Sequence, residues 1–427
     1  MVHNDDVQNA LSSAQPVPPE ETAEYDAQPR GSSEAQGPAK ISGKGRRRWN
    51  KAWIGAGIFT VFVGIGFALA LIPVPYVIQS PGPTIDVLGT QGGTQILEVS
   101  QSGAQSYFAQ HEGSTDLPAV RGHGDDDGQL RMVTVSELGG PGSKVRGIDW
   151  LRAQFDASST IKRFSDVYDS SVTAEDIRQA SSAQMESSHS SSAIAAAEYL
   201  GIPMDSTLTI VGAAPGSGAE GLVEDGDILL AMELPDGTEE VVDVPSVPFR
   251  VMKTVEPGST VKLRVLRDGQ EIVVPVVTTA TAVNPGQVAP PGSKLGIYLT
   301  ADTAMPVAVD FHLERVGGPS AGLIFALGII DQLGDHPLPG GQIIAGTGAL
   351  SFSGDVIPIG GVRQKMYGAL RDGADWFLVP QENCDEVVGN EPAGLRVIPV
   401  ETLADGVQAV DAIAAGQGNS LPSCPVG

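Results

Sequence analysis

Cysteine, aromatic residues and basic residues are all scarce in this 427-residue chain, and each shortage removes a class of function. Two cysteines, Cys384 and Cys424, are too few for a disulfide-built scaffold or a cysteine-rich zinc site. The six histidines are scattered and form no HExxH pair, so no metal site is expected. Lysine and arginine total 26 against 51 acidic residues, a formal charge of −25. A general nucleic-acid binder needs a basic surface to displace counterions, and that function is excluded. No G-x-x-x-x-G-K-[ST] loop occurs. The nearest glycine-rich run, GAAPGSGAEG (212–221), lacks the lysine, so neither ATP nor another cofactor is expected. Aromatics make up 5% of the chain beside 53 glycines and 31 prolines, which argues for turns and short strands rather than a helical bundle. With 41% hydrophobic residues the chain can still bury substantial cores, and its length suits about two to three domains.

One long apolar run breaks the acidic pattern. Ala52–Ile72 contains 21 residues without a charge, enough to cross a hydrocarbon core of roughly 30 Å. Lys40, Lys44, Arg46, Arg47, Arg48 and Lys51 precede it, and the next charge is Asp86. The positive-inside rule then places the N-terminus in the cytoplasm and the rest outside, a single-pass membrane protein anchored by residues 52–73. A cleaved signal peptide is the alternative, since Ala68-Leu69-Ala70 resembles a cleavage site, although the fifty-residue lead is long for one. Residues 1–51 read as a disordered cytoplasmic tail ending in the basic cluster.

Residues 76–198 read as a separate membrane-proximal region, with strands expected at Thr94–Val99 and Leu130–Val135. HGDDDG (123–128) lacks the spaced ligands of a calcium loop and reads as a solvated turn. Thr173-Ala174-Glu175-Asp176 predicts a capped helix start, with the helix continuing to Leu200. From 199 to 280 short strands dominate. Val261, Leu263 and Val265 alternate with Lys262 and Arg264, and Asp268-Gly269 supplies a hairpin turn. The length and the EDGDILL run (224–230) resemble a PDZ domain, a fold that binds extended peptides by strand addition. Leu200-Gly201-Ile202 is the candidate peptide-binding loop, with an ordinary helix end as the competing reading. Residues 281–294 read as a Pro/Thr-rich linker.

Two features from 295 onward carry chemistry. Val307, Val309, Phe311 and Leu313 alternate as in a half-buried strand, and Gly317-Gly318-Pro319 then turns the chain into a helix beginning near Ser320. Ser320 can be a simple N-cap. It can equally be a nucleophile, because free amides at a helix start, here at Gly318 and Ser320, suit a developing oxyanion. Downstream, Lys365 falls within the apolar stripe Val362, Met366, Ala369 and Leu370. A lysine held in an apolar pocket loses basicity and becomes a usable general base, unless its amine snorkels to water. Serine–lysine pairs are a known form of nucleophile-plus-base catalysis.

GGPSAG (317–322) and GTGALSFSGDVIPIGGVRQK (346–365), with 45 residues between Ser320 and Lys365, resemble the proteolytic domain of the Lon family over about 295–415. The order of anchor, PDZ domain and Lon-type domain is similar to YlbL-like membrane-anchored peptidases. The resemblance implies Ser320 as nucleophile, Lys365 as base and Thr347 as the hydroxyl orienting the lysine. It also implies a homo-oligomeric ring. Acidic residues common in cytoplasmic Lon enzymes are replaced here by Gly317 and Ala349, leaving Asp310 or Glu314 to supply any secondary acid. The expected architecture is thus multidomain α+β: transmembrane helix, β-rich PDZ domain (199–280) and α/β Lon-type proteolytic domain (295–427). The expected activity is ATP-independent serine endopeptidase cleavage of unfolded extracytoplasmic polypeptides. The alternative is a PDZ-based scaffold or holdase with a latent Lon-like domain. An oxidising compartment permits a Cys384–Cys424 bridge; two buried thiols are the other option.

Overall fold

The computed structural model describes residues 57, 59–67, 72–110, 117–124, 126–169, 171–281, 291–313 and 316–425. The tail 1–51 lies outside them, as does part of the apolar run. Residues 59–67 are helical and expose Phe59, Phe62 and Phe67. Among the described residues no helix is long and apolar enough to cross a membrane.

In chain order the principal elements begin with strands β1 (Tyr76–Asp86), β2 (Leu97–Ser100), β3 (Gln129–Leu138) and β4 (Thr160–Arg163), then helix α1 (Ala174–Tyr199). Next come β5 (Asp205–Ala213), β6 (Ile228–Glu233), β7 (Glu239–Val241), α2 (Val247–Met252), β8 (Thr260–Arg267), β9 (Gln270–Val277) and β10 (Ile297–Ala304). Last are β11 (Ala308–Phe311), α3 (Gly322–Leu333), β12 (Ile343–Gly346), α4 (Val362–Arg371), β13 (Trp376–Pro380), β14 (Arg396–Val400) and α5 (Leu403–Ala414).

The main sheet runs β14-β13-β12-β3-β1-β4. Its interior is parallel: β12 lies between β13 and β3, with Ala345 opposite Phe377 and Arg131. Burial on both faces explains why β13 is the near-continuous apolar run WFLVP. Every residue of α3 is buried, so this helix is apolar all round rather than striped. Val87, Leu97, Leu130 and Met132 share its core.

The division expected at 198 therefore gives way. Residues 76–199 are half of the body that also carries Ser320 and Lys365, called the catalytic body below for its candidate site: β1, β3 and β4 build the same sheet as β12–β14, and α1 packs along α3. The segment looked uninformative alone because its apolar face is completed only by residues two hundred positions later. HGDDDG is also less free than expected. Arg121 and His123 reach the buried Asp331 of α3 at 2.8 and 3.4 Å and pin the start of this stretch.

The β module is inserted between the two halves. Its sheet runs β9-β8-β6-β5-β10, with β7 on β6, around its own core of Leu208, Ile210, Leu229, Leu263 and Val276. Arg267 grips the buried Asp227 with two hydrogen bonds of 2.7 and 2.6 Å. Two expected boundaries move. β10 pairs along the whole of β5, from Ile297↔Ala213 to Ala304↔Asp205, so it belongs to the module and not to the C-terminal domain. Residues 281–294, of which 282–290 lie outside the described residues, therefore connect two strands of the module rather than two domains, and Thr279 and Lys294 at its ends exchange reciprocal hydrogen bonds.

Candidate active site

The Ser320 turn and the Lys365 helix come from opposite sides of one cavity. Ser320 precedes α3, whose N-cap is Ala321 without a side-chain cap, so the serine hydroxyl is not spent on capping. Lys365 lies on the inner face of α4 beside Val362, Met366 and Ala369, all fully buried. Gly361 begins that helix with φ 74°, and a Cβ there would run into Val135 of β3 at 2.7 Å, so only glycine lets the helix start this close to the sheet. Both side chains line a cavity of about 960 Å³, together with Thr134–Ser136 of β3 and Ser188 of α1.

Lys365 is 4% exposed. Burial pulls its pKa down from 10.5 to about 7, against a smaller upward pull from Glu386. The amine does not snorkel. It donates to Thr347 Oγ1 at 3.1 Å, and Thr347 Oγ1 in turn donates to the Ser320 carbonyl at 3.0 Å. Thr347 is fully buried and hangs between β12 and the hairpin that pairs Ala349–Leu350 with Val356–Ile357. The Gly348 amide also donates to the Ser320 carbonyl, at 2.9 Å. One hydroxyl thus links the lysine to the serine's own backbone.

Other expected residues fall elsewhere. The Gly318 amide, read as an oxyanion donor, is already committed to the Ser181 carbonyl of α1 at 3.0 Å. Ser320's amide has no hydrogen-bond partner among the described residues. Asp310 is exposed on β11 and lies off the cavity, and Glu314 is outside the described residues. The acids that do line the cavity are Glu382 and Glu386, together with Asn383, which spacing alone did not reveal. Leu200-Gly201-Ile202 is a helix end: Leu200 is the C-cap of α1, Gly201 has φ 68°, and Ile202 donates to Ala197 and sits in the catalytic body's core. It is not a loop of the module's sheet. Strand β5, which follows it, is interior, flanked by β6 and β10, so no peptide can add to it.

Cys384 and Cys424 are bridged, with Cα atoms 5.2 Å apart, tying the C-terminal segment to the core beneath α4. Among the described residues no group of three His, Cys, Asp or Glu could hold a metal ion.

Residues 314–410 match the family model of the Lon protease (S16) C-terminal proteolytic domain. The archaeal Lon protease of Methanocaldococcus jannaschii is 30% identical over 177 residues, 41% of this chain and 26% of that protein. Lon protease 2 of Herpetosiphon aurantiacus is 39% identical over 104 residues, covering 23% of this chain and 12% of the relative. Lon protease 2 of Bacillus subtilis is 34% identical over 105 residues, 23% and 18% respectively. The chain thus spans about a quarter or less of the curated relatives it matches.

Proposed function

We propose, from a Lon-type S16 proteolytic domain as premise, that this protein is a serine endopeptidase in which Ser320 is the nucleophile and Lys365 the general base. The observation that carries this reading is the buried Lys365 amine, with its pKa near 7, joined through Thr347 to the backbone of Ser320. In the proposed cycle the neutral amine accepts the Ser320 Oγ proton as Oγ bonds to the substrate carbonyl carbon. The Ser320 amide stabilises the oxyanion. The carbon–nitrogen bond then breaks, Lys365 returns its proton to the leaving amine, and water releases the acyl group by the same base.

Membrane anchoring through residues 52–73, with the catalytic body outside, belongs to this proposal, as does ATP independence. Substrates would then be polypeptides already unfolded. The β module is proposed to be PDZ-like and to engage them at a free sheet edge. Because β5 is interior, the edge available on that side is β10, whose chain runs on through β11 to the Ser320 turn. Elsewhere on the module, α2 and the residue that follows it touch the 349–357 hairpin through Phe249 against Phe352 and the Lys253–Asp355 ion pair.

The test is single-turnover cleavage of unfolded casein by the full-length chain in detergent, without ATP, beside Ser320→Ala and Lys365→Ala. Activity lost in both variants supports the dyad. Equal cleavage by all three refutes it. A second reading, a peptide-binding holdase with a latent proteolytic domain, draws support from the commitment of the Gly318 amide to Ser181. It predicts peptide binding with no turnover by any form.

A further inference from the structure

The nucleophile turn is held from outside its own sequence neighbourhood. Helix α1 lies across residues 317–322, and three of its seven serines meet that turn. The Ser181 carbonyl accepts from the Gly318 amide at 3.0 Å. Ser188 Oγ donates to the Pro319 carbonyl at 3.2 Å. Ser192 Oγ, with a single proton, lies 2.5 Å from the Ser188 carbonyl and 3.0 Å from the Gly322 carbonyl. Ser188 and Ser192 are 2% and 0% exposed. Serine is a mediocre helix former, and a buried hydroxyl is costly unless it is hydrogen-bonded. Here the Ser188 hydroxyl serves the carbonyl that precedes Ser320, and the Ser192 hydroxyl shares its one proton between its own helix and the Gly322 carbonyl beyond Ser320. The fit is close on the other partner too: a Cβ at Gly317 would collide with Ser181 Oγ, and one at Gly322 would come within 3.2 Å of Ser188 Oγ.

We infer that Ser188 and Ser192 are positioning residues for the Ser320 nucleophile. They fix the peptide planes at Pro319 and Gly322, and so the direction in which Ser320 leaves the turn. This rests on the proposed serine-peptidase reading. Thr347 and Gly348 hold the Ser320 carbonyl from the β12 side, so the turn is clamped between two structures, one of them contributed some 130 residues before it and the other about 27 residues after it. A misplacement of about 1 Å at a reacting atom can cost on the order of 100-fold in rate. Loss of one clamp is therefore expected to act on the chemical step rather than on substrate affinity.

The experiment measures the pseudo-first-order rate constant with which an excess of fluorophosphonate phosphonylates Ser320, displacing fluoride, in the full-length protein in detergent, together with kcat and KM for casein and the melting temperature. Ser188→Ala and Ser192→Ala should each slow phosphonylation about tenfold or more. KM should stay within about twofold, and the pH midpoint should not move, since Lys365 keeps its surroundings. Ser188→Thr, which restores the hydroxyl, should recover most of the rate. Ser190→Ala, on the exposed face of the same helix, is the control. At a temperature well below each variant's melting temperature the protein is folded and the rate constant reports the folded site, so a rate loss that disappears under those conditions, or a loss confined to labelling amplitude, would mean a merely structural role and would overturn the assignment. Unchanged rate constants in both alanine variants, with Ser320 still labelled in the parent protein, would overturn it while leaving the peptidase reading intact. A parent protein that is never labelled at Ser320 would remove both.

Discussion

The burial of Lys365 predicts a pH dependence with an unusual shape. If the amine titrates near 7, it is roughly one-tenth neutral at pH 6 and nine-tenths neutral at pH 8. Single-turnover acylation should therefore rise about tenfold between those values and then level off. A lysine left at 10.5 would instead drive a tenfold rise per pH unit through pH 9. The same burial has a stability consequence of opposite benefit. The unfolded chain keeps this proton up to about 10.5, whereas the folded chain releases it near 7, so the unfolded state binds more protons between the two. Stability should rise with pH across that window and bear the full penalty below it. At 1.36 kcal/mol per unit the penalty has an upper bound of roughly 5 kcal/mol. Lys365→Met should accordingly abolish acylation yet raise stability to urea at pH 6, with the gain shrinking toward pH 10. The assay is quenched-flow cleavage of a casein-derived peptide from pH 5.5 to 9.5, paired with urea titrations of both proteins. A rate still climbing tenfold per unit at pH 9, or a Lys365→Met protein no more stable than the parent at pH 6, would refute the argument.

Three further outcomes are expected. Thr347→Val removes the hydroxyl between Lys365 and the Ser320 carbonyl, and should cut turnover about tenfold while moving the pH midpoint downward, because the lost hydrogen bond favoured the ammonium form. Stopped-flow pH profiles check both effects. Reduction of Cys384–Cys424, which closes a separation of 40 residues, should destabilise the catalytic body by up to roughly 4 kcal/mol on chain-entropy grounds; thermal melts with and without dithiothreitol, and of Cys424→Ser, measure it. Arg267→Ala leaves Asp227, whose side chain is fully buried, without its ion partner and should cost the β module about 3 kcal/mol, read by hydrogen exchange across β5, β6 and β8.

Much of the candidate site was legible in one dimension. Ser320 in GGPSAG and Lys365 within an apolar stripe could be chosen from period and composition, because a helix fixes which residues share a face. The capping box at Thr173 was equally local: the threonine bonds to Asp176 three residues on. Thr347 was reachable only through resemblance, since nothing in a strand end says which hydroxyl will meet an amine. What the tertiary structure alone decided were pairings across long separations. Residues 76–199 joined the catalytic body because β3 hydrogen-bonds to β12, and no periodicity encodes a partner strand. β10 joined the module for the same reason, and Leu200-Gly201-Ile202 became a helix end once Ile202 found its place in the catalytic core. The Ser320 turn acquired its clamp from α1, whose serines look like a weak helix until the carbonyls they serve come within reach. Local chemistry is set by neighbours in sequence, whereas the geometry of a site is set by which distant backbone groups lie close enough to hydrogen-bond.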